Sequence, residues 1–445
     1  MTGDPKRALR MMAVPMLVSL VVAQLNTLVD TFWCSSLGSV SLAAVGVVES
    51  IYLILSGIGA GIGVGVSASL AAKVARRDKK TGDAIATQSV VFMTVVGLLC
   101  TPVLMVIGNP IIMLVGGQEI YDDAAAYALP YYLGAAIIVL QEVFAGVLRG
   151  EGASKKSMVI MVIEAILNII FDPIFTFVFG WGIQGLAWAT VVAIAVSVIP
   201  FIYWYFIRPQ LTYLDIHLRH FRFNRQYISD FLSIGIPKAV ELDIMAFVNF
   251  ALNFFVVCCG GAFGLAVYST AWKFVDLILV PSAAIGGALI PICAAAYGRC
   301  DFGKVRLTYR YAMGWTLAIT AVLAVLVYFA ADWLMVLFTY SNASADLREP
   351  LVHATRIFMI IGILYSAINV SSSLMQAMRK SNGSMWSTLI RNLTLIIVFG
   401  ITCRYTLDTM WWGFVAAEVF GMTLMVGWAE YAYRLRRRVY GPQTS

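Results

Sequence analysis

The feature that most constrains this chain is a series of twelve apolar stretches, each long enough to cross a membrane as a helix. A helix that spans a bilayer needs about 20 mainly apolar residues. Because lipid offers the backbone no hydrogen-bond partners, a segment of this length must be helical. We therefore predict an all-α integral membrane protein with twelve transmembrane helices, over residues 11–35, 42–72, 84–108, 124–148, 157–179, 183–207, 230–257, 262–296, 307–330, 350–377, 384–404 and 409–433.

The composition excludes several classes of protein. Of the 445 residues, 60% are hydrophobic and only 12% are charged. A soluble domain carries about 25% charged residues, which it needs to cover its surface. The chain is therefore not a soluble enzyme, a disordered chain or a nucleic-acid-binding domain.

The basic residues are distributed unequally between the two predicted membrane faces. With the amino terminus inside, the inside segments hold 25 Lys and Arg residues and the outside loops hold two. Basic residues concentrate in cytoplasmic loops, so both termini are predicted to be cytoplasmic. The net charge of +7 then indicates contact with anionic membrane lipids and requires no nucleic-acid partner. We expect a multi-pass protein of the cell membrane.

The two halves of the chain resemble each other. Leu42–Asp78 aligns with Leu265–Asp301 without a gap, and the basic turn Arg149–Met158 resembles Gln376–Met385. Chance similarity between two sets of Gly- and Ala-rich helices is the alternative explanation. An even number of helices in each repeat predicts two pseudo-symmetric six-helix lobes in parallel around a central cavity. The predicted parts are an N-lobe (1–207), a cytoplasmic linker (208–229), a C-lobe (230–433) and a basic cytoplasmic tail (434–445).

Polar residues inside three predicted helices form the main candidate site. Asp30 has Asn26 one turn before it, Asp172 has Asn168 one turn before it, and Thr190 lies in the sixth helix. Ionisable residues within spans are costly and are candidates for function. These oxygen atoms would suit a monovalent cation such as Na⁺, or the two carboxylates would share a proton. The alternative is that the side chains only join helices by hydrogen bonds.

Further charged residues are candidates for lining a cavity. In the second half, the alternative is internal ion pairing at a spacing of three residues, between Lys238 and Glu241 and between Lys273 and Asp276. A cavity lined by acidic groups would attract a cationic substrate. The candidates for lining this cavity are the amide Asn26 and the charged residues Glu49, Glu142, Glu164, Glu241, Asp243, Lys273 and Asp276.

Several short segments follow one another in order along the twelve helices of the two halves. These segments are Pro15 with Asp30, the turn Arg149-Gly150-Glu151-Gly152, the stretch from Leu167 to Pro173, and Gly182–Ala187 leading to Thr190. With these segments in this order, the whole chain resembles the multidrug and toxic compound extrusion (MATE) transporters.

The resemblance implies a function. Transporters of this family export organic, often cationic, compounds in exchange for inward H⁺ or Na⁺, with no other cofactor. By resemblance to the DinF-like and archaeal branch, an N-lobe cation site would comprise Asp30, Asn168, Asp172 and Thr190, and helix one would bend at Pro15. A NorM-like C-lobe site is not expected, because Glu241 and Asp243 do not fall at the expected position. The partners implied are small organic substrates and lipids, and the chain is expected to be a monomer.

Two other classes of function fit the charged residues of the spans less well. A flippase for lipid-linked precursors would need several basic residues in its cavity, and only Lys238, Lys273, Arg356 and Arg391 are candidates. A membrane enzyme would need a catalytic cluster within the spans, and the sequence contains none. We therefore predict a cation-coupled antiporter that works by alternating access, with the flippase as the alternative.

Overall fold

The fold is all-helical, as a computed structural model shows for residues 4–35, 37, 39–217, 223–336 and 348–440. Within this part of the chain, twelve helical segments are long and apolar enough to cross a membrane. The predicted fold class, with its twelve spans, is therefore confirmed. The segments are Pro5–Cys34, Ala44–Ala75, Lys79–Met113, Tyr121–Glu151, Ser154–Val178, Gly182–Ile207, Arg225–Gly261, Phe263–Gly298, Phe302–Val336, Arg348–Ala377, Ser381–Thr402 and Leu407–Val439.

The helices extend beyond the predicted spans at most ends. The α-helices are α1 (Pro5–Ser35), α2 (Ser39–Ala75), α3 (Lys79–Glu151), α4 (Ser154–Pro173), α5 (Gly182–Ser197), α6 (Ile199–Ile202), α7 (Arg225–Gly298), α8 (Phe302–Val336), α9 (Arg348–Ala377), α10 (Ser381–Thr402) and α11 (Leu407–Tyr440). Two π-helical turns follow α4 and α6, at Ile174–Val178 and Tyr203–Ile207, and a 3₁₀ turn covers Pro209–Leu211.

Two of these helices, α3 and α7, each contain two spans. The spans of α3 fold back on each other, since a Cβ at Gly97 would contact Ala136 and one at Gly108 would contact Tyr132. In α7 the helical backbone is interrupted at Gly261, whose φ of 59° and ψ of −154° are readily adopted only by glycine.

The chain divides into two compact units. The first comprises Arg10–Asp243, and the second comprises the described parts of Ile244–Ser445 and of Gly3–Leu9. Each unit has its own core of buried apolar side chains. The change of unit falls within the first span of α7, while the division of the chain at a linker over 208–229 stays a prediction.

The internal repeat is visible in the turns that precede α3 and α8. Arg77 and Cys300, which the repeat aligns, both have positive φ, at 61° and 59°. The next residues, Asp78 and Asp301, each accept a hydrogen bond from the backbone N–H three residues later, at 3.2 and 2.9 Å. Hydrogen bonds from the Thr81 side chain and backbone hold the pKa of Asp78 below its usual value. Both aspartates thus act as helix N-caps.

The turns before α4 and α10 show the same correspondence. Gly152 and Arg379 occupy equivalent places and have φ of 93° and 57°. In each turn the following residue, Ala153 or Lys380, donates its backbone N–H to a carbonyl five residues back, at 2.8 Å in both. Positive φ and the same backbone hydrogen bond at equivalent places are the geometry expected of two structural repeats.

Five glycines of α2 allow this helix to approach two neighbours closely. Gly57, Gly61 and Gly65 face the first span of α7, whereas Gly59 and Gly63 face the second span of α3. Small residues at a spacing of four let helix backbones approach each other. The series is therefore a packing surface and not a nucleotide-binding loop.

The glycine surface generates a test of stability. A Cβ at Gly61 would overlap the backbone of Ala239, so Gly61→Ala should cost about 1–3 kcal/mol and lower the Tm in detergent. Gly314→Ala in α8 is the matched control, because its Cβ would meet no atom within 4 Å and alanine is the better helix former. An equal or higher Tm for Gly61→Ala would contradict the packing role.

Candidate functional site

Three helices of the first unit bring five predicted polar residues together. Asn26 and Asp30 lie on α1, Asn168 and Asp172 on α4, and Thr190 on α5. The side-chain oxygen of Asn168 accepts a hydrogen bond from Asn26 Nδ2 at 2.7 Å. Its Nδ2 donates to Asp172 Oδ1 at 2.9 Å and to Thr190 Oγ1 at 3.3 Å. One amide therefore joins all three helices.

The two carboxyl groups of this network face each other. Asp30 and Asp172 lie within hydrogen-bond distance of one another. Asn26 Nδ2 also reaches Asp30 Oδ2 at 3.5 Å. Among the described residues, no N–H group donates to the buried atoms Asp30 Oδ1 and Asp172 Oδ2. Two carboxylates this close repel each other unless a proton or a cation lies between them.

The backbone changes conformation directly after Asp172. Pro173 is the last residue of α4, and the chain continues as the π-helical turn Ile174–Val178. The sequence predicts a broken hydrogen-bond ladder at Pro173, because proline lacks a backbone N–H. In the structure the helix widens directly after the proline, a change that is frequent at functional sites.

A cavity of about 380 Å³ opens beside the network within the first unit. Asp30 is in its wall, whereas Asn168 and Asp172 are buried behind, each only 1% exposed. Cavities of this size accommodate small organic ligands. The polar residues of the wall are Asn26, Thr27, Asp30, Glu49, Ser56, Gln141, Glu142, Glu164 and Thr190, with the hydroxyls of Tyr52, Tyr127 and Tyr131.

Several residues of this wall were not identified from the sequence. The Tyr127 and Tyr131 hydroxyls are 3.1 Å apart, and Tyr131 is hydrogen-bonded to Thr190. Gln141 Nε2 donates to Glu164. The spacing of four residues between the two tyrosines places them on one helix face, which is the signal that could have identified them.

Comparison with known proteins identifies the family. The MatE family model matches residues 15–174 and 237–402. The multidrug export protein MepA of Staphylococcus aureus (strain bovine RF122 / ET3-1) is 20% identical over 418 residues, which are 93% of this chain and 90% of MepA.

Two solved structures agree with this match. A MOP superfamily transporter from Pyrococcus furiosus Vc1 is 30% identical, with a TM-score of 0.93 over 98% of this chain and 97% of that one. The outward-facing structure of a multidrug resistance MATE family transporter has the same identity, TM-score and coverage.

The chain belongs to the MatE family. It is a multi-pass membrane protein, and its relative MepA is a multidrug export protein. These relatives do not favour the flippase alternative. Assignment to the DinF-like branch stays a prediction.

The charges of α7 near the unit boundary do not line the cavity described above. Lys238 Nζ and Glu241 Oε1 form an ion pair at 2.9 Å, in which both side chains are largely buried. Asp243 lies against α2, where a Cβ at Gly57 would overlap its carboxylate. Lys238 and Glu241 therefore form the ion pair that their spacing of three residues allowed.

The corresponding pair in the second unit is not formed. Lys273 and Asp276 are both exposed, and no ion pair within 4.0 Å joins them in the described structure. Asp276 is instead hydrogen-bonded to Trp272. A spacing of three residues permits an ion pair, but exposed side chains gain little from it.

A buried ion pair in the second unit was missed by the sequence reasoning. The Arg391 and Glu418 side chains are 3% and 0% exposed. Arg391 Nε lies 2.9 Å from Glu418 Oε2, and Nη2 lies 2.5 Å from Oε1. The guanidinium also stacks over the Tyr365 ring at 4.6 Å. Arg391, like Lys238, is therefore neutralised and does not offer a free charge to an anionic headgroup.

A further cluster of metal-ligand types joins the beginning of α3 to the segment that follows the 3₁₀ turn Pro209–Leu211. Asp83, Asp215 and His217 each place a ligand atom within 4.8 Å of the others. Lys79 Nζ already pairs with both carboxylates, at 3.3 Å from Asp83 and closer to Asp215. The ammonium group thus supplies the positive charge that a metal ion would bring.

The buried pair generates a second test of stability. Glu418→Gln should cost about 3–5 kcal/mol and lower the Tm, because the buried Arg391 charge loses its partner. The double variant Arg391→Met/Glu418→Leu removes both charges and should be more stable than Glu418→Gln. Thermal unfolding in detergent measures both, and a double variant no more stable than the single one would contradict this account.

Proposed function

We propose that the chain is an antiporter that exports organic, cationic or amphiphilic compounds from the cell in exchange for inward H⁺ or Na⁺. It works by alternating access in the plasma membrane, with both termini in the cytoplasm. One observation carries the proposal: the facing carboxyl groups of Asp30 and Asp172, joined to Asn168 and Thr190 at the wall of a cavity.

The donor set is suited to one monovalent cation. A proton would be shared by the two carboxyl groups, and Na⁺ would be held by the carboxylates with the oxygens of Asn168 and Thr190. These are hard oxygen ligands, and no soft or nitrogen ligand is among them. Either ion neutralises one negative charge in a region where an unbalanced charge is costly.

Coupling follows if the ion and the substrate compete for the same negative charge. Asp30 belongs both to the network and to the cavity wall, so an ion bound there removes a carboxylate that an organic cation would otherwise contact. Only differential affinity for two states shifts a conformational equilibrium, and competition at Asp30 supplies it.

Pro15 is the place in α1 where a change at the site would bend the helix. Pro15 lies within the continuous helix, about four turns before Asp30, and Ser19 Oγ donates to its carbonyl at 3.0 Å. Since proline removes one backbone hydrogen bond, it is the place where α1 bends most easily. Bending there, when Asp30 and Asn26 change partners, would move the cavity wall.

The carboxyl pair yields the central prediction. Asp30→Asn and Asp172→Asn should each abolish drug export, because an amide neither shares a proton nor carries the charge that holds a cation. Efflux from cells that lack other pumps measures the effect, with membrane expression and Tm as checks of folding. Asp78→Asn is the matched control, because it removes a carboxylate outside the spans and keeps a capping side chain. Export at the parental rate by Asp30→Asn would refute the proposal.

The coupling ion can be identified in liposomes. With the purified protein, an imposed pH gradient or an imposed Na⁺ gradient should drive substrate accumulation. The membrane potential should add to it only where the exchange moves net charge, by about 2.3 kcal/mol per net charge per 100 mV. Accumulation driven by one gradient alone identifies the ion. Accumulation that is the same with no gradient, and unaffected by Asp172→Asn, would contradict ion coupling.

The acidic wall predicts a preference for cations. Glu164→Gln keeps the size of the side chain and should raise KM for a monovalent organic cation by about tenfold, the loss of about 1.4 kcal/mol of binding free energy. A neutral substrate of similar shape should show an unchanged KM. If both KM values rise equally, Glu164 acts through packing and not through charge.

A further inference from the structure

Five arginines line a groove in the second unit that no part of the proposed transport cycle uses. The groove has a volume of about 720 Å³ and lies between the beginning of α8 and the end of α11. Its basic residues are Arg306 and Arg310 on α8 and Arg434, Arg437 and Arg438 on α11. We name this surface the arginine groove.

The floor of the arginine groove is formed by two helices that are joined to each other. Tyr433 is buried, and its hydroxyl donates to the Phe302 carbonyl at 3.0 Å, which joins the end of α11 to the start of α8. The Arg306 guanidinium lies over the Tyr433 ring, 5.8 Å from its centroid. The arginines are therefore carried by two packed helices and not by a loop.

Acidic residues neutralise only part of this charge. Glu430 pairs with Arg434 at 3.0 Å and lies 3.9 Å from Arg306. In the described part of the chain, no carboxylate lies within 4.0 Å of Arg310, Arg437 or Arg438. Three guanidinium groups without an acidic partner thus line one concave surface. Their positive charges repel each other, and a bound anion would reduce this repulsion.

We propose that the arginine groove binds the phosphate of an anionic phospholipid of the cytoplasmic leaflet. Guanidinium groups bind phosphate oxygens through paired hydrogen bonds, and clusters of basic residues at the cytoplasmic ends of spans attract anionic lipids. A lipid is favoured over a soluble phosphate because α8 and α11 are membrane helices. Leu307, which lines the groove, is 48% exposed and offers an apolar surface to an acyl chain.

The inference rests on the orientation in the proposed function, with the beginning of α8 and the end of α11 in the cytoplasm. Cys300 lines the groove and is exposed, so it reports this orientation. In a variant that keeps only this cysteine, a membrane-impermeant maleimide should label inside-out vesicles and not right-side-out vesicles. Labelling from the outside alone would overturn the cytoplasmic site, whatever the outcome of the transport assays.

Lipid binding is tested on the full chain in detergent by native mass spectrometry with added phosphatidylglycerol or phosphatidylcholine. The variant Arg310→Gln/Arg437→Gln/Arg438→Gln should lose apparent affinity for phosphatidylglycerol by at least about tenfold. The matched control Lys80→Gln/Lys155→Gln/Arg225→Gln removes three exposed cations of the first unit. It should change the apparent affinity for phosphatidylglycerol by less than about twofold.

The outcomes separate the alternatives. Equal losses in the two triple variants, or equal binding of phosphatidylcholine, would show a general charge effect and overturn the proposal. Displacement of the lipid by inorganic phosphate at similar concentration would assign the groove to soluble anions instead. If the triple variant does not fold, the single variant Arg437→Gln replaces it. Asp30→Asn should bind the lipid normally, so a failure of the groove and a failure of ion coupling are distinguishable.

Discussion

The Asn168 amide is the interaction on which the geometry of the site depends. A carboxamide has one accepting oxygen and two donating hydrogens in a fixed plane. Here the oxygen accepts from α1, and the nitrogen donates to Asp172 on its own helix and to Thr190 on α5. Because the donors and acceptor are fixed relative to each other, the amide restricts how the three helices can be placed at this level. The facing carboxyl groups of Asp30 and Asp172 are both contacted by amide groups of this network.

The same network explains how charge in the cavity is connected to helix packing. Asn26 donates to Asn168 and also reaches Asp30, so α1 is held by a residue that responds to the state of the carboxyl pair. If the pair binds a proton or Na⁺, as we propose, the acceptors available to Asn26 change. A polar network in a low-dielectric interior has few alternative arrangements, so a change in one member is transmitted to the others.

The sequence was sufficient to predict the features that repeat along the chain or share one helix. Twelve apolar stretches predicted the spans, and spacings of four residues placed Asn26 with Asp30 and Asn168 with Asp172. It could not predict partners between distant helices. Arg391 and Glu418 are 27 residues apart, and no local spacing marks them as a pair. The spacing of three residues also suggested an ion pair between Lys273 and Asp276 that the structure does not contain among its described residues. Helical spacing brings two side chains near each other, but it does not make their contact favourable.

The two repeats differ at the positions of the proposed coupling site. The register that aligns Gly152 with Arg379 places Leu395 and Phe399 where the first unit has Asn168 and Asp172. Both are buried, and the Phe399 ring contacts Phe414 at 5.2 Å. In the second unit, apolar packing therefore occupies the place of the polar network. The buried polar pair of the second unit, Arg391 with Glu418, lies at other positions and is balanced in charge. The facing carboxyl groups have no counterpart at the equivalent positions Leu395 and Phe399, which is the difference expected if they serve the proposed transport and not folding alone.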